Sequence, residues 1–244
     1  MAALEDFLSA TDLDDLMRAF SAIETLTDDE AARVEQILCD WRDHQAIANL
    51  LFHPQLIAEA TRVQVLDRAL GSDEVPYFQL AATVGLQGFG GERLPAERRS
   101  PWIAALAAFL DSSATVLAER ASVVLYDWAV HRGDGQAARA LAFRYPAGAD
   151  GALHNIVAAL LLLYASHPPD DLARRLEEWQ VPDERRQAIL KGHQEYLQLK
   201  ALDPSAAKNR TYALFAYIPN LSEAERYGLG SVSRHPKKRR WRLW

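Results

Sequence analysis

The chain has 244 residues, with 33 acidic against 27 basic side chains, 49% hydrophobic residues and a single cysteine. That is the composition of a globular chain long enough to bury roughly 70% of its unfolded surface. Cys39 has no partner, which excludes an internal disulfide framework and a zinc site built on cysteines. The longest apolar run, Ile156 to Ala165, has ten residues, against the ~18 to 20 that a spanning helix needs. The opening MAALEDFLSA carries Glu5 and Asp6 where a secretory leader carries positive charge. A cytoplasmic protein without a membrane span is expected.

Glycine and proline are few and Ala and Leu dominate, which favours helix. In chain order, Thr11 with Asp14 and Thr27 with Glu30 have the spacing of capping boxes. They predict helices over Asp12 to Thr25 and Asp28 to Trp41. Pro54 and Pro101 fall where a first helical residue has no amide to lose, predicting helices from Pro54 to Leu70 and Pro101 to Leu110. Tyr77 to Leu86, Ala114 to His131, Gln136 to Phe143, Ala149 to Ser166, Asp170 to Trp179, Asp183 to Leu202 and Ala206 to Tyr217 follow. Gly71, Gly133, Pro146, Pro168, Pro169, Pro182, Pro204 and Pro219 punctuate them as helix-ending residues do. Strand signals are nearly absent. The expected fold is all-α, about ten helices over residues 1–230 followed by a basic tail over residues 231–244.

A weak internal repeat runs through Leu110, Asp111, Val116, Ala121 and Leu125, with a similar series at Leu70, Val75, Ala81 and Leu86 about 40 residues earlier. The small Ala positions let paired helices approach closely. A third copy would run through Val157 to Leu161, with different turn signals. The pattern resembles HEAT-type helical repeats, best between Pro101 and Ala129 and more loosely from Pro54 to Ser166. The resemblance implies an α-solenoid, with an irregular multi-helix array as the alternative. It further implies a protein-binding scaffold rather than an enzyme, and says nothing of chemistry.

Candidate chemistry is sparse. Asp127 and His131 are four apart on one helical face, beside Arg132, but no nucleophile accompanies them. A helix end that favours positive charge explains the pair better. His44, His53, His154, His167 and His193 are scattered and form no ligand spacing, so neither metal nor cofactor is expected. Gly85, Gly88, Gly90 and Gly91, followed by Arg93, Arg98 and Arg99, lack the remainder of a phosphate-binding motif and read as a helix end with a long loop. Its arginines are candidate surface contacts. Trp102, Phe109, Tyr126, Trp128, Phe143, Tyr145 and Tyr164 read as core.

The most informative segment is the last, RHPKKRRWRLW. Arg234, Lys237, Lys238, Arg239, Arg240 and Arg242 contribute +6 without an acid, leaving residues 1 to 233 at −12. Trp241 and Trp244 stand among them. Six cations with two apolar anchors form the expected contact for an anionic partner. The alternatives are docking on the acidic body, nucleic acid, an anionic membrane surface or a nuclear-import signal. The leading expectation is a non-enzymatic adaptor, scaffold or regulatory subunit binding a protein partner. The second is a nucleic-acid-binding or repair protein, because Trp128 beside Asp127 is similar to residues used by HEAT-like DNA alkylation-repair glycosylases. The net −12 of the body speaks against a basic nucleic-acid groove there.

Overall fold

The computed structural model describes residues 2–72, 76–88, 96–131, 133–144 and 169–205. Of these, 82% are helical and none lies in a strand, as the composition and punctuation predict. The helices are α1 Ala2–Ser9, α2 Leu13–Ser21, α3 Asp28–Asp40, α4 His44–Phe52, α5 Glu59–Leu70, α6 Pro76–Gly88, α7 Ala96–Phe109, α8 Thr115–His131, α9 Gly135–Arg144, α10 Pro169–Glu178 and α11 Asp183–Leu202. The helices expected at Ala149 to Ser166 and Ala206 to Tyr217 lie outside the described residues. Among the described residues the chain divides into two compact units between Ala105 and Leu106.

In the first unit, helix starts follow local chemistry. The α3 capping box forms as predicted: Glu30 N–H donates to Thr27 Oγ1 at 3.3 Å, and Thr27 N–H donates to Glu30 Oε2 at 3.0 Å. At α2 the cap is Asp12 rather than Thr11. Asp12 has the extended backbone of an N-cap, and its carboxylate accepts from Asp15 N–H at 2.8 Å. The expected helix from Pro54 to Leu70 is broken. Pro54 opens a 3-10 turn, Pro54–Leu56, Ile57 and Ala58 are extended, and α5 begins at Glu59. A tertiary bond explains the break: the Arg62 guanidinium donates to the carbonyls of Pro54 and Ile57, holding buried Ile57 in place.

Pro101 does not start α7 but lies inside it. Trp102 Nε1 donates to Asp67 Oδ1 at 2.6 Å, and Arg98 Nη1 lies 3.1 Å from Asp67 Oδ2. Two side chains four apart on α7 thus grip one carboxylate of α5, which keeps the turn ahead of the proline helical. Arg98, a candidate surface contact by sequence, is used in this grip.

Helix α4 packs against both α1 and α6, with α2 on α1 and α5 on α6. Ala46, Ile47, Ala48, Leu50 and Leu51 of α4 are all fully buried. A helix covered on every side has no polar face and therefore no amphipathic period, which is why sequence periodicity does not reveal it. The α4–α6 approach is backbone to backbone. A Cβ on Gly85 would overlap the Leu51 carbonyl oxygen and press on Pro54, so Gly85 belongs to a helix contact and not to a loop.

In the second unit α8 packs on α9, α9 on α11, and α10 on α11. Ala118, Ala121, Leu125, Trp128 and Ala129 of α8 are buried, as are Ala137, Ala138, Leu141 and Ala142 of α9. Small side chains on both partners allow close approach. Asp134 opens α9 by accepting from the amides of Gln136 and Ala137 at 2.9 and 3.1 Å. Gly133 supplies the left-handed backbone before it, with φ +61°.

Candidate interaction surface

The residues expected to contact a partner, Arg234, Lys237, Lys238, Arg239, Arg240, Trp241, Arg242 and Trp244, lie outside the described residues. So do Arg132, His154, His167, Tyr145, Tyr164, Gly90, Gly91, Arg93 and the side chain of His131. Of the paired Asp127 and His131, only Asp127 is described, half-buried on α8. Among the described residues, no three His, Cys, Asp or Glu side chains converge as a metal site. None of the described helices is long and apolar enough to cross a membrane.

The acidic counterpart of the tail has a definite location. Residues 1–43 hold twelve carboxylates against three cations, a net −9, whereas residues 44–233 carry only −3. Ten of the twelve are exposed on or beside α1, α2 and α3; Glu30 and Glu35 are not. Local structure accounts for some of them. Asp12 and Asp43 cap α2 and α4, and the Asp15 amide on the Asp12 carboxylate holds that group below its ordinary pKa. Asp28 and Asp29 stand in the first turn of α3, where the helix dipole favours negative charge. Arg18 and Arg33 pair with Asp15 and Glu5 across solvent-exposed contacts of 2.9 and 3.5 Å.

Against this acidic background sits one aromatic–cationic cluster. Trp41 ends α3 in the left-handed backbone region, φ 51°, ψ 37°, an uncommon conformation for a bulky side chain. Its ring packs edge-on to Phe78 of α6, centroids 5.4 Å apart, and the Arg68 guanidinium of α5 lies 4.0 Å above it. His44 meets the same Phe78 edge-on at 5.5 Å. Arg42, His44 and Arg68 are exposed while Trp41 is half-buried. A guanidinium stacked on a ring keeps its N–H donors available at its edges, the geometry that suits a planar carboxylate. Sequence reasoning missed this cluster because Trp41, Arg68 and Phe78 belong to three different helices. Only the run Trp41-Arg42-Asp43-His44 hints at it.

A second aromatic group joins α1, α2 and the end of α4. The ring of His53 stacks on Phe20, centroids 4.0 Å apart and 16° between planes, and meets Phe7 edge-on at 5.7 Å. Burial pushes its pKa down to about 4, so the ring is neutral at pH 7. In the second unit, burial also draws the Arg120 guanidinium down to about 10, against a small opposing effect of Glu119; it remains charged at neutral pH. Tyr126 is raised by burial, then by Asp127 and by Tyr196 of α11. Trp102 and Trp128 are fully buried, as a core role requires, whereas Phe109, Tyr126 and Phe143 are half-buried.

Comparison with known protein families, with curated proteins and with solved structures returns no match.

Proposed function

We propose that the chain is a non-enzymatic helical adaptor or regulatory subunit that binds a protein partner and uses its tail, Arg234 to Trp244, as an interaction segment. The observation that carries this reading is the segregation of charge: −9 over the first 43 residues and +6 over the last eleven. Such separation speeds encounter with a complementary partner and rejects wrong ones more than it sets final affinity. The Trp41–Arg68 pair, its arginine exposed and its tryptophan half-buried, adds two of the residue types most often found to dominate binding energy. A HEAT-like arrangement belongs to the same proposal. It is supported by the succession α1, α4, α6, with α2 and α5 packed alongside, and by burial of Leu70, Ala81 and Leu86 as well as Leu110, Val116, Ala121 and Leu125.

The test is affinity purification from the native source, comparing the full chain with a form lacking residues 234–244. A partner protein that is lost with the tail, and lost progressively as salt rises, supports the reading. Equal recovery by both forms with unchanged stability overturns the role of the tail. Recovery dominated by nuclease-sensitive nucleic acid replaces the reading with nucleic-acid binding, for which six cations beside Trp241 and Trp244 also have suitable chemistry.

A further inference from the structure

We infer that His53 is an acid-operated latch holding the α1–α2 hairpin against α4, so that protonating its ring frees the hairpin while the α4–α6 pairing persists. The geometry is that of a latch. The ring stands at the last turn of α4, where its backbone N–H donates to the carbonyls of Asn49 and Leu50 at 3.2 Å. From there it reaches Phe20 of α2 face to face and Phe7 of α1 edge to face, while those two phenylalanines lie 6.2 Å apart. One side chain thus touches both helices of the hairpin. Among the described residues its side-chain hydrogen-bond contact is with Gln55 Nε2, 3.4 Å from Nδ1, and no carboxylate stands among these neighbours to receive an added proton's charge.

The surrounding charges do not change this picture. Glu5 and Asp6 on α1, and Asp14, Asp15 and Arg18 on α2, are exposed. His44 is exposed at the far end of α4, and the guanidinium of Arg62 on α5 bonds to the carbonyls of Pro54 and Ile57 in and beside the 3-10 turn. Burial alone depresses the affinity of the ring for a proton. The face of Phe20 offers an imidazolium some attraction, too little to replace its lost hydration.

The sign follows from linkage. The folded hairpin prefers the neutral ring, so the contribution of the latch is complete above the unfolded pKa of about 6.5 and declines as pH falls towards 4. Opened, the hairpin uncovers the apolar side made by Leu4, Phe7, Leu8 and Leu16, all buried when it is closed. Where Gly85 meets Leu51 the α4–α6 contact has no titratable group, and His44, which meets Phe78 of α6, is exposed, so the pairing is expected to stay shut over the same interval.

Native-state hydrogen exchange on the full chain, corrected for intrinsic exchange rates, tests this at pH 7 and pH 4.5. Protection of residues 2–21 should fall roughly 20- to 80-fold more in the native chain than in His53→Phe, which keeps the stack but cannot titrate. Amides of α4 and α6 should change far less. An equal fall in both proteins overturns the latch and assigns the effect to carboxylates. Equal loss across α1, α2, α4 and α6 overturns it in favour of global unfolding. Should His53→Phe not fold, the NMR titration of the His53 ring in the unaltered chain decides. A midpoint well below 6.5, coincident with hairpin opening, supports the latch, and a midpoint near 6.5 refutes it.

Discussion

The α1–α4 pairing of the first unit and the α8–α9 pairing of the second solve one problem, joining two helices, by opposite means. The paired helices α8 and α9 both bury small side chains, Ala118, Ala121 and Ala129 on one and Ala137, Ala138 and Ala142 on the other. Between α1 and α4 the contact is riveted by polar groups. The Asn49 side-chain amide, itself buried, donates to the carbonyls of Phe7, Leu8 and Ala10 at 2.8, 3.2 and 2.9 Å. Gln45 adds a bond to Ala10 at 2.8 Å and another to Asn49 Oδ1 at 3.0 Å. These amides occupy the place of the missing next turn at the carboxyl end of α1, where helical carbonyls lose their partners. Shape sets the tolerance of the first kind of contact, and hydrogen-bond completeness that of the second.

Substitutions at four positions sharpen or break that contrast. The largest effect is expected for Ala121→Trp, which drives an indole into a fully buried contact between Leu117 and Leu125. Overpacking by a few methylenes already costs ~1 to 3 kcal/mol, so the cooperative melting of the second unit should be lost, and an unchanged melting temperature would show the contact to be absent. Next comes Gly85→Val, which forces Cβ into the Leu51 carbonyl. A loss of about 3 kcal/mol or more is expected in denaturant titration, and full stability would mean that α4 and α6 do not meet there.

Asn49→Ala should cost about 2 to 3 kcal/mol, because it leaves buried carbonyls without donors. The contrast between the two pairings fails if Asn49→Leu, which restores bulk without donors, proves as stable as the native chain. Smallest is Thr27→Ala, removing one half of the α3 capping box. About 1 kcal/mol is expected, read as a parallel shift of the urea unfolding curve.

What was legible in the sequence follows the same division. Alanine and leucine at helical spacing announce a helix contact without reference to its partner, so Ala81, Ala121 and Leu125 were readable as core and are buried. The Thr27–Glu30 box was readable because it closes within three residues. The local rules that misled did so where a side chain from a later turn intervened, as Arg62 does eight residues after Pro54, or from another helix, as Asp67 does ahead of Pro101. The Asn49, His53 and Trp41–Arg68 contacts between helices join residues 27 or more positions apart, with the Gln45–Asn49 and His53–Gln55 bonds as short local links. No spacing rule connects such residues, and the surface that presents Trp41 and Arg68 was invisible for that reason.

The Asn49 rivet also constrains the order in which the chain can fold. Helix α1 has eight residues, fewer than the ~12 to 15 below which an isolated helix is marginal in water. Its carboxyl end is completed by a side chain 39 to 42 positions later. In a chain emerging amino end first from a ribosome, α1 can pair with α2 as soon as both are made, but its carboxyl end must wait for Asn49 and the rest of α4 before its carbonyls are satisfied. During that interval Leu4, Phe7 and Leu8 are uncovered, and the carboxylates of Glu5 and Asp6 beside them supply the like-charge repulsion that keeps neighbouring nascent chains apart. Helix α1 is therefore synthesised well before the side chain that completes it, and it settles only when α4 does.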